Sequence, residues 1–337
     1  MNTTVAAERS RSQPLRLAAL LKGERLTTLN LFATFILICL IFASQSDFFL
    51  TLDNFLNVGR TLGVVGIVSI GMTMVLISGG VDLSVGSVAA LSGVVTSILW
   101  LQADVPLGLA TVIGLGACVL VGFINGFFVA VMRINPLITT LASFSIVRGL
   151  AFVLSSGQTN QLSNPAFQFL GRGDVVGIPA SLLLMIALFA AAFVVMHFTQ
   201  FGRNLYAIGG SAEASRLAGI AVRRHLLIVY TLSGLLSGLA GIVIASQLAS
   251  SAPRAAVGLE FTVIAAVVLG GTSLSGGKGT LIGTLVGVFI LRVLDNGLVQ
   301  TRVSSFYQDV VSGSVLLLAV GFDQIRQKLA AAVKDRS

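Results

Sequence analysis

Apolar residues in this chain come in uninterrupted runs of about twenty, a length that matches the roughly 30 Å hydrocarbon core of a bilayer when wound as an α-helix. Ten such runs can be read, at about 27–45, 57–78, 84–101, 106–131, 136–156, 178–198, 225–246, 257–271, 279–300 and 308–325. Few ionisable residues fall inside them, Arg148, Arg292 and Asp295 among these, so they predict helices surrounded by lipid and protein. A spanning segment must satisfy its backbone polar groups internally, and a helix does so within itself. Only 10% of the residues are charged and 55% are hydrophobic, against about 25% charged in an ordinary soluble domain. With a mean hydropathy of +0.97, a water-covered globule is excluded. The expected fold is an all-α polytopic membrane protein with about ten transmembrane helices. The third, eighth and tenth runs are short enough to be half-helices.

The 37 glycines lie largely inside apolar runs, as in Ile67 to Met72 and Leu281 to Gly287, where small residues let membrane helices approach closely. Cys39 and Cys118 also fall inside apolar runs and read as small buried hydrophobes. A net charge of +8 invites a nucleic-acid reading, but the basic residues sit between apolar segments without forming a stripe, so no nucleic acid is expected. They fit the excess of Lys and Arg that cytoplasmic loops carry. With the N-terminus in the cytoplasm, 15 of the 21 basic residues fall on cytoplasmic segments, among them Arg133, Arg203, Arg216, Arg223, Arg224 and Lys278. Ten spans with both termini cytoplasmic are then self-consistent. Residues 1–26 read as a cytoplasmic N-terminal tail, 27–325 as one transmembrane domain and 326–337 as a cytoplasmic C-terminal tail. The basic start of about 28 residues lacks a clear cleavage site, and no signal peptide is read there.

Two glycine-rich breaks interrupt the apolar pattern. The first, at 78–87, contains Gly79, Gly80, Asp82 and Ser84; the second, at 270–280, contains Gly270, Gly271, Thr272 and Ser273. Each glycine costs a helix about 1 kcal/mol relative to alanine, so both breaks are expected to be non-helical. A carboxylate at membrane depth has to face protein or water. Asp82 or Ser84 reads as a cap on the next helix, with direct solute contact as the other reading. The similar shape of the breaks hints at two related halves, and paired interrupted helices mark transport pathways. The second break fails as a nucleotide-binding loop, since Gly279 stands where Ser or Thr is required after Gly277-Lys278. Arg292 and Asp295, three apart, can pair on one helix face. His197 and His225 fall at span ends outside any catalytic or metal constellation, and no catalytic motif points to an enzyme.

The longest cytoplasmic loop between spans is 199–224. Ser211 reads as an N-cap, Glu213 as a favourable charge in the first turn and Gly219 as the terminator. The intervening Ala214, Ser215, Arg216 and Leu217 complete a helix of about two turns, with Leu217 and Ile220 as apolar projections. So short a helix is unstable alone in water and must dock, either on this chain or in a groove of a partner.

Gly71-Met72-Thr73 with Gly80 to Ser87, Gly202-Arg203 through Ile220, and Ile264 through Gly279 together resemble the ribose/xylose/galactoside-type permeases of ATP-binding-cassette (ABC) importers, over about 26–325. The resemblance implies a subunit of the bacterial inner membrane that moves a pentose or hexose delivered by a periplasmic sugar-binding protein. It implies a separate ABC ATPase partner holding ATP and Mg, no cofactor on this chain, and a second permease copy or paralogue. The helix near 211–218 would be the ATPase-coupling element. Ser211 stands where the family usually has Asn, and Pro253 to Val263 departs from the family's run. A nucleoside, signalling furanose or branched-chain amino acid permease is the alternative within the superfamily. An ion-coupled secondary transporter is the alternative outside it.

Overall fold

The computed structural model describes residues 31–304 and further positions between 307 and 321. Both tails, the start of the first run and much of the tenth lie outside the described residues. Twelve helices are delimited among them: α1 Leu31–Gln45, then α2 Leu52–Ile77, α3 Val85–Leu101, α4 Leu107–Ala130, α5 Pro136–Ser155, α6 Pro165–Arg172, α7 Ala180–Phe198, α8 Gln200–Gly210, α9 Ala212–Leu217, α10 Val222–Leu248, α11 Leu259–Leu269 and α12 Leu281–Gln300. Six of them (α2, α4, α5, α7, α10 and α12) are long and apolar enough to cross a bilayer, while α1, α3 and α11 are shorter apolar helices. At 1.5 Å per residue, the 11 residues of α11 reach about 16 Å, half a hydrocarbon core, as the eighth run suggested.

Helices α2 and α10 form the centre. The apolar stretch of α2 is 89% buried, against 22% in α4 and α5, whose Leu, Ile and Phe side chains face outward as lipid-covered surface would require. Helix α4 lies on α10 along a ridge of small residues four apart, Cys118, Gly122 and Gly126. A β-carbon on Gly126 would stand 3.0 Å from the Cα of Leu227, and one on Gly122 would overlap the Tyr230 carbonyl oxygen. Without a hydrophobic force between helices in lipid, this close van der Waals fit is what holds them. Gly71 meets Ser233 in the same manner, and Gly270, Gly283 and Gly287 let α11 and α12 close into a tight hairpin. The glycine content is thus a packing feature. Cys118 is fully buried and Cys39 partly so, both free thiols.

Three local expectations change. The first break is shorter than 78–87, because Val85 to Ser87 already belong to α3. The 199–224 loop holds two helices: Thr199 accepts from the Gly202 amide to start α8, whose three glycines are tolerated because Leu205 and Ile208 are buried. The connection after α5 contains α6, started by Asn164 with Pro165 in its first turn, and short two-residue strands. Asn160–Gln161 (β1) pairs antiparallel with Ser250–Ser251 (β4), and Asp174–Val175 (β2) with Ile178–Pro179 (β3).

Candidate functional site

The first break begins as a tight turn, with Gly79 at φ +86°, then runs back into the protein. Asp82 is only 2% exposed. Its Oδ1 accepts from the Ser84 amide at 3.0 Å and the Ser84 hydroxyl at 2.6 Å, and its Oδ2 accepts from the Ser233 hydroxyl at 2.7 Å. Asn125 donates to Ser84 Oγ at 3.0 Å. The cluster ties the start of α3 to α4 and α10. Of the two residues read as caps, Asp82 holds the amide of Ser84, while Ser84 makes no side-chain cap.

The second break, from Gly270 to Thr280, is non-helical, with Gly271, Gly276, Gly277 and Gly279 at positive φ. Thr272 and Ser273 are buried, and the Ser275 amide donates to Ser273 Oγ. The Gly277 amide donates to the Ile77 carbonyl at 2.9 Å, joining the second break to the last residue of α2. Gly209 of α8 fits against the same two groups, and a β-carbon there would overlap both; one on Gly276 would stand 2.8 Å from the Cα of Gly79. The Tyr206 hydroxyl donates to the Gly279 carbonyl at 2.9 Å. Both breaks and α8 thus meet at one glycine junction, a convergence that the separate motifs did not announce.

Beside the junction stands α9. Ser211 accepts from the Ala214 amide at 3.1 Å, and Gly219 ends the helix at φ +81°. Glu213 and Arg216 form an exposed pair at 2.6 Å. Only Ser215 of its six residues is buried, and Leu217 is 79% exposed. Ile220 is half-buried and lines a groove of about 470 Å³ with Phe201, Asn204, Arg224 and His225, so it does not project as expected. His225 stacks on Phe201 and contacts Asn204 at 3.2 Å.

On the far side of the bundle, a cavity of about 700 Å³ lies between α2, α10, α11 and α12, lined in part by Thr61, Gln247, Phe261, Thr262, Arg292 and Asp295. Arg292 pairs with Asp295 at 2.8 Å, their side chains 18% and 23% exposed. The spacing three apart made the pair legible; the cavity beside it required the fold.

The chain matches the family model described as branched-chain amino acid transport system / permease component over residues 54–320. It is 42% identical over 292 residues to the ribose import permease protein of Bacillus subtilis (strain 168), covering 86% of this chain and 90% of that protein. Against the ribose import permease protein of Escherichia coli (strain K12) the identity is 41% over 303 residues, 88% and 94% of the two chains. Against the L-arabinose transport system permease protein of the same strain it is 41% over 305 residues, 90% and 92%. No solved structure matches the chain.

Proposed function

This chain belongs to the branched-chain amino acid transport system / permease component family, and from that premise we propose that it is the membrane-spanning subunit of an ABC importer for a ribose-like pentose or hexose. The observation that carries the sugar class is its identity of 41–42% to ribose and arabinose permeases along nearly their whole length. The proposed assembly contains a separate ATPase holding ATP and Mg, a periplasmic sugar-binding protein and a second permease copy or paralogue. In this arrangement the chain supplies the path through the bacterial inner membrane, with both termini in the cytoplasm.

Helix α9 is the proposed coupling element. An apolar side chain as exposed as Leu217, on a helix too short to hold itself in water, has the shape of an interface anchor. Force applied there passes through α8 to the glycine junction, and from it into α2 and the α11–α12 hairpin.

The test is ATP-driven uptake in liposomes carrying the permease, its ATPase and its binding protein, with labelled ribose, arabinose and leucine. Uptake of ribose or arabinose is expected. Leucine uptake alone would overturn the sugar reading. Truncating an interface anchor costs about 2 kcal/mol or more, so Leu217→Asp should enter the membrane at normal level yet lose the ATPase on co-purification and lose uptake. Full uptake by Leu217→Asp at normal complex yield would exclude α9 as the coupling helix.

A further inference from the structure

We infer that the cavity between α2, α10, α11 and α12 is the sugar's resting site in transit, with the Arg292–Asp295 pair and Phe261 as its binding groups. The inference rests on the reading of the chain as a sugar importer.

The first support is depth. Arg292 is the twelfth residue of the 20 in α12, about 16 Å along its axis and so near the middle of a span. Helix α11, about 16 Å long, runs back from the second break, which places its first turn, with Phe261 and Thr262, at a similar depth. Ionised side chains at such depth are costly, and where they occur they face protein interiors or water-filled cavities on solute pathways. Arg292 and Asp295 line this cavity.

The second support is direction. The coupling helix and the glycine junction sit at the start of α10 and the end of α2. The cavity is lined instead by Thr61 and Val64 from the first half of α2 and by Gln247 from the last turn of α10. It therefore opens toward the face opposite the coupling helix, the face on which a periplasmic protein would deliver its load.

The third support is chemistry. About 700 Å³ falls within the roughly 300–1,000 Å³ of small-molecule sites, ample for one monosaccharide ring with water. Sugars present hydroxyls at their edges and C–H groups on their faces. Phe261, 55% exposed, offers an aromatic face. Arginine offers only donors and a carboxylate only acceptors, so hydroxyls of a neutral polyol can bridge the intact pair. Arg292 and Asp295 both line the cavity and keep 18% and 23% of their side chains exposed, so a hydroxyl can reach the pair from that side. A zwitterionic amino acid would have to separate the pair, and an inorganic ion would find no net charge in it.

The test blocks the cavity after folding. In a chain with Cys39 and Cys118 replaced by alanine, Thr262→Cys is assembled with ATPase and binding protein in liposomes and treated from the binding-protein side with a bulky, membrane-impermeant maleimide. Labelling is expected, with loss of at least about tenfold in ribose and arabinose uptake while the ATPase still co-purifies. Complete labelling with undiminished uptake would overturn the inference. A second variant, Arg292→Asp with Asp295→Arg, keeps an i,i+3 pair but reverses it. A purely structural pair would leave uptake at the wild-type rate in that variant, and this result at normal yield would also overturn the inference. Loss of the charged hydrogen bonds to sugar predicts about a tenfold fall instead. An untreated wild-type complex that moves neither sugar would fault the functional reading, whereas active wild-type transport that survives the block would fault the cavity alone.

Discussion

Asp82 shows how a carboxylate that is 2% exposed is held by hydrogen bonds, with no salt-bridge partner among the described residues. Three donors, the amide and hydroxyl of Ser84 and the hydroxyl of Ser233, converge on its two oxygens. A carboxylate accepts at both oxygens, and asparagine accepts at only one. Asp82→Asn therefore turns its amide nitrogen toward a hydroxyl that must reorient, and it exchanges charge-assisted bonds for neutral ones. The expected cost is about 1–3 kcal/mol of stability. It should be read as a lower melting temperature of the detergent-purified protein, with uptake falling in step and the ratio of ribose to arabinose uptake unchanged. A changed ratio at wild-type stability would show that Asp82 touches the sugar. The sequence left Asp82 between cap and contact because it shows a carboxylate beside a helix start and does not show Ser233, which lies 151 positions away.

At the scale of elements, the α8 helix, the first break and the second break are joined through backbone atoms, and backbone junctions leave no hydrophobic pattern in a sequence. Gly209 and Gly210 are neighbours in one helix with opposite surroundings. A β-carbon on Gly209 would overlap the Ile77 carbonyl oxygen and the Gly277 amide, while one on Gly210 meets nothing within 4 Å. Alanine is favoured over glycine in a helix by about 1 kcal/mol, so Gly210→Ala should be neutral or slightly stabilising. Gly209→Ala pushes on main-chain atoms that cannot change rotamer, and overpacking of that kind costs about 1–3 kcal/mol. Its expected signature is a lower melting temperature and reduced uptake, because the Ile77–Gly277 hydrogen bond must lengthen. Equal uptake and equal melting of the two variants would mean that the junction yields freely and transmits no force. The same contrast explains why α8 escaped sequence reading: its glycines argue against a helix, and only the groups they fit against reveal why they are there. The α6 helix did carry a signal, Asn164 followed by Pro165, which is an N-cap with proline at the first position.

For the whole molecule, much of the architecture was legible because lipid imposes so simple a rule on sequence. Every apolar run at 52–300 has a helix in the structure; of the two runs there expected to be half-helices, 257–271 is one, whereas 84–101 forms the 17 residues of α3, about 25 Å long. Connections were less legible, since the short strands and α6 depend on pairings such as Asn160 with Ser251 between distant segments. Orientation is set by charge on the helix ends. The junction places Arg203, Arg216, Arg223, Arg224 and Lys278 on the face that carries α9, whereas Arg60 pairs with Asp174 at 3.1 Å near the start of α2, on the opposite face. Lys and Arg within short loops hold their side of the membrane in the cytoplasm, so the face with α9 is expected inside. Alkaline phosphatase, which folds to activity only in the periplasm, reports this directly when fused after a chosen residue. Fusion after Arg223 should be silent and fusion after Gly171 active, with both hybrid proteins present at comparable level. The reverse pattern would put α9 outside, beyond the reach of any cytoplasmic ATPase, and would overturn the coupling reading with the topology. The same activity at both sites would mean that an odd span separates the structure from the proposed topology, in the region between α6 and α10 where α7 is the only helix long and apolar enough to cross.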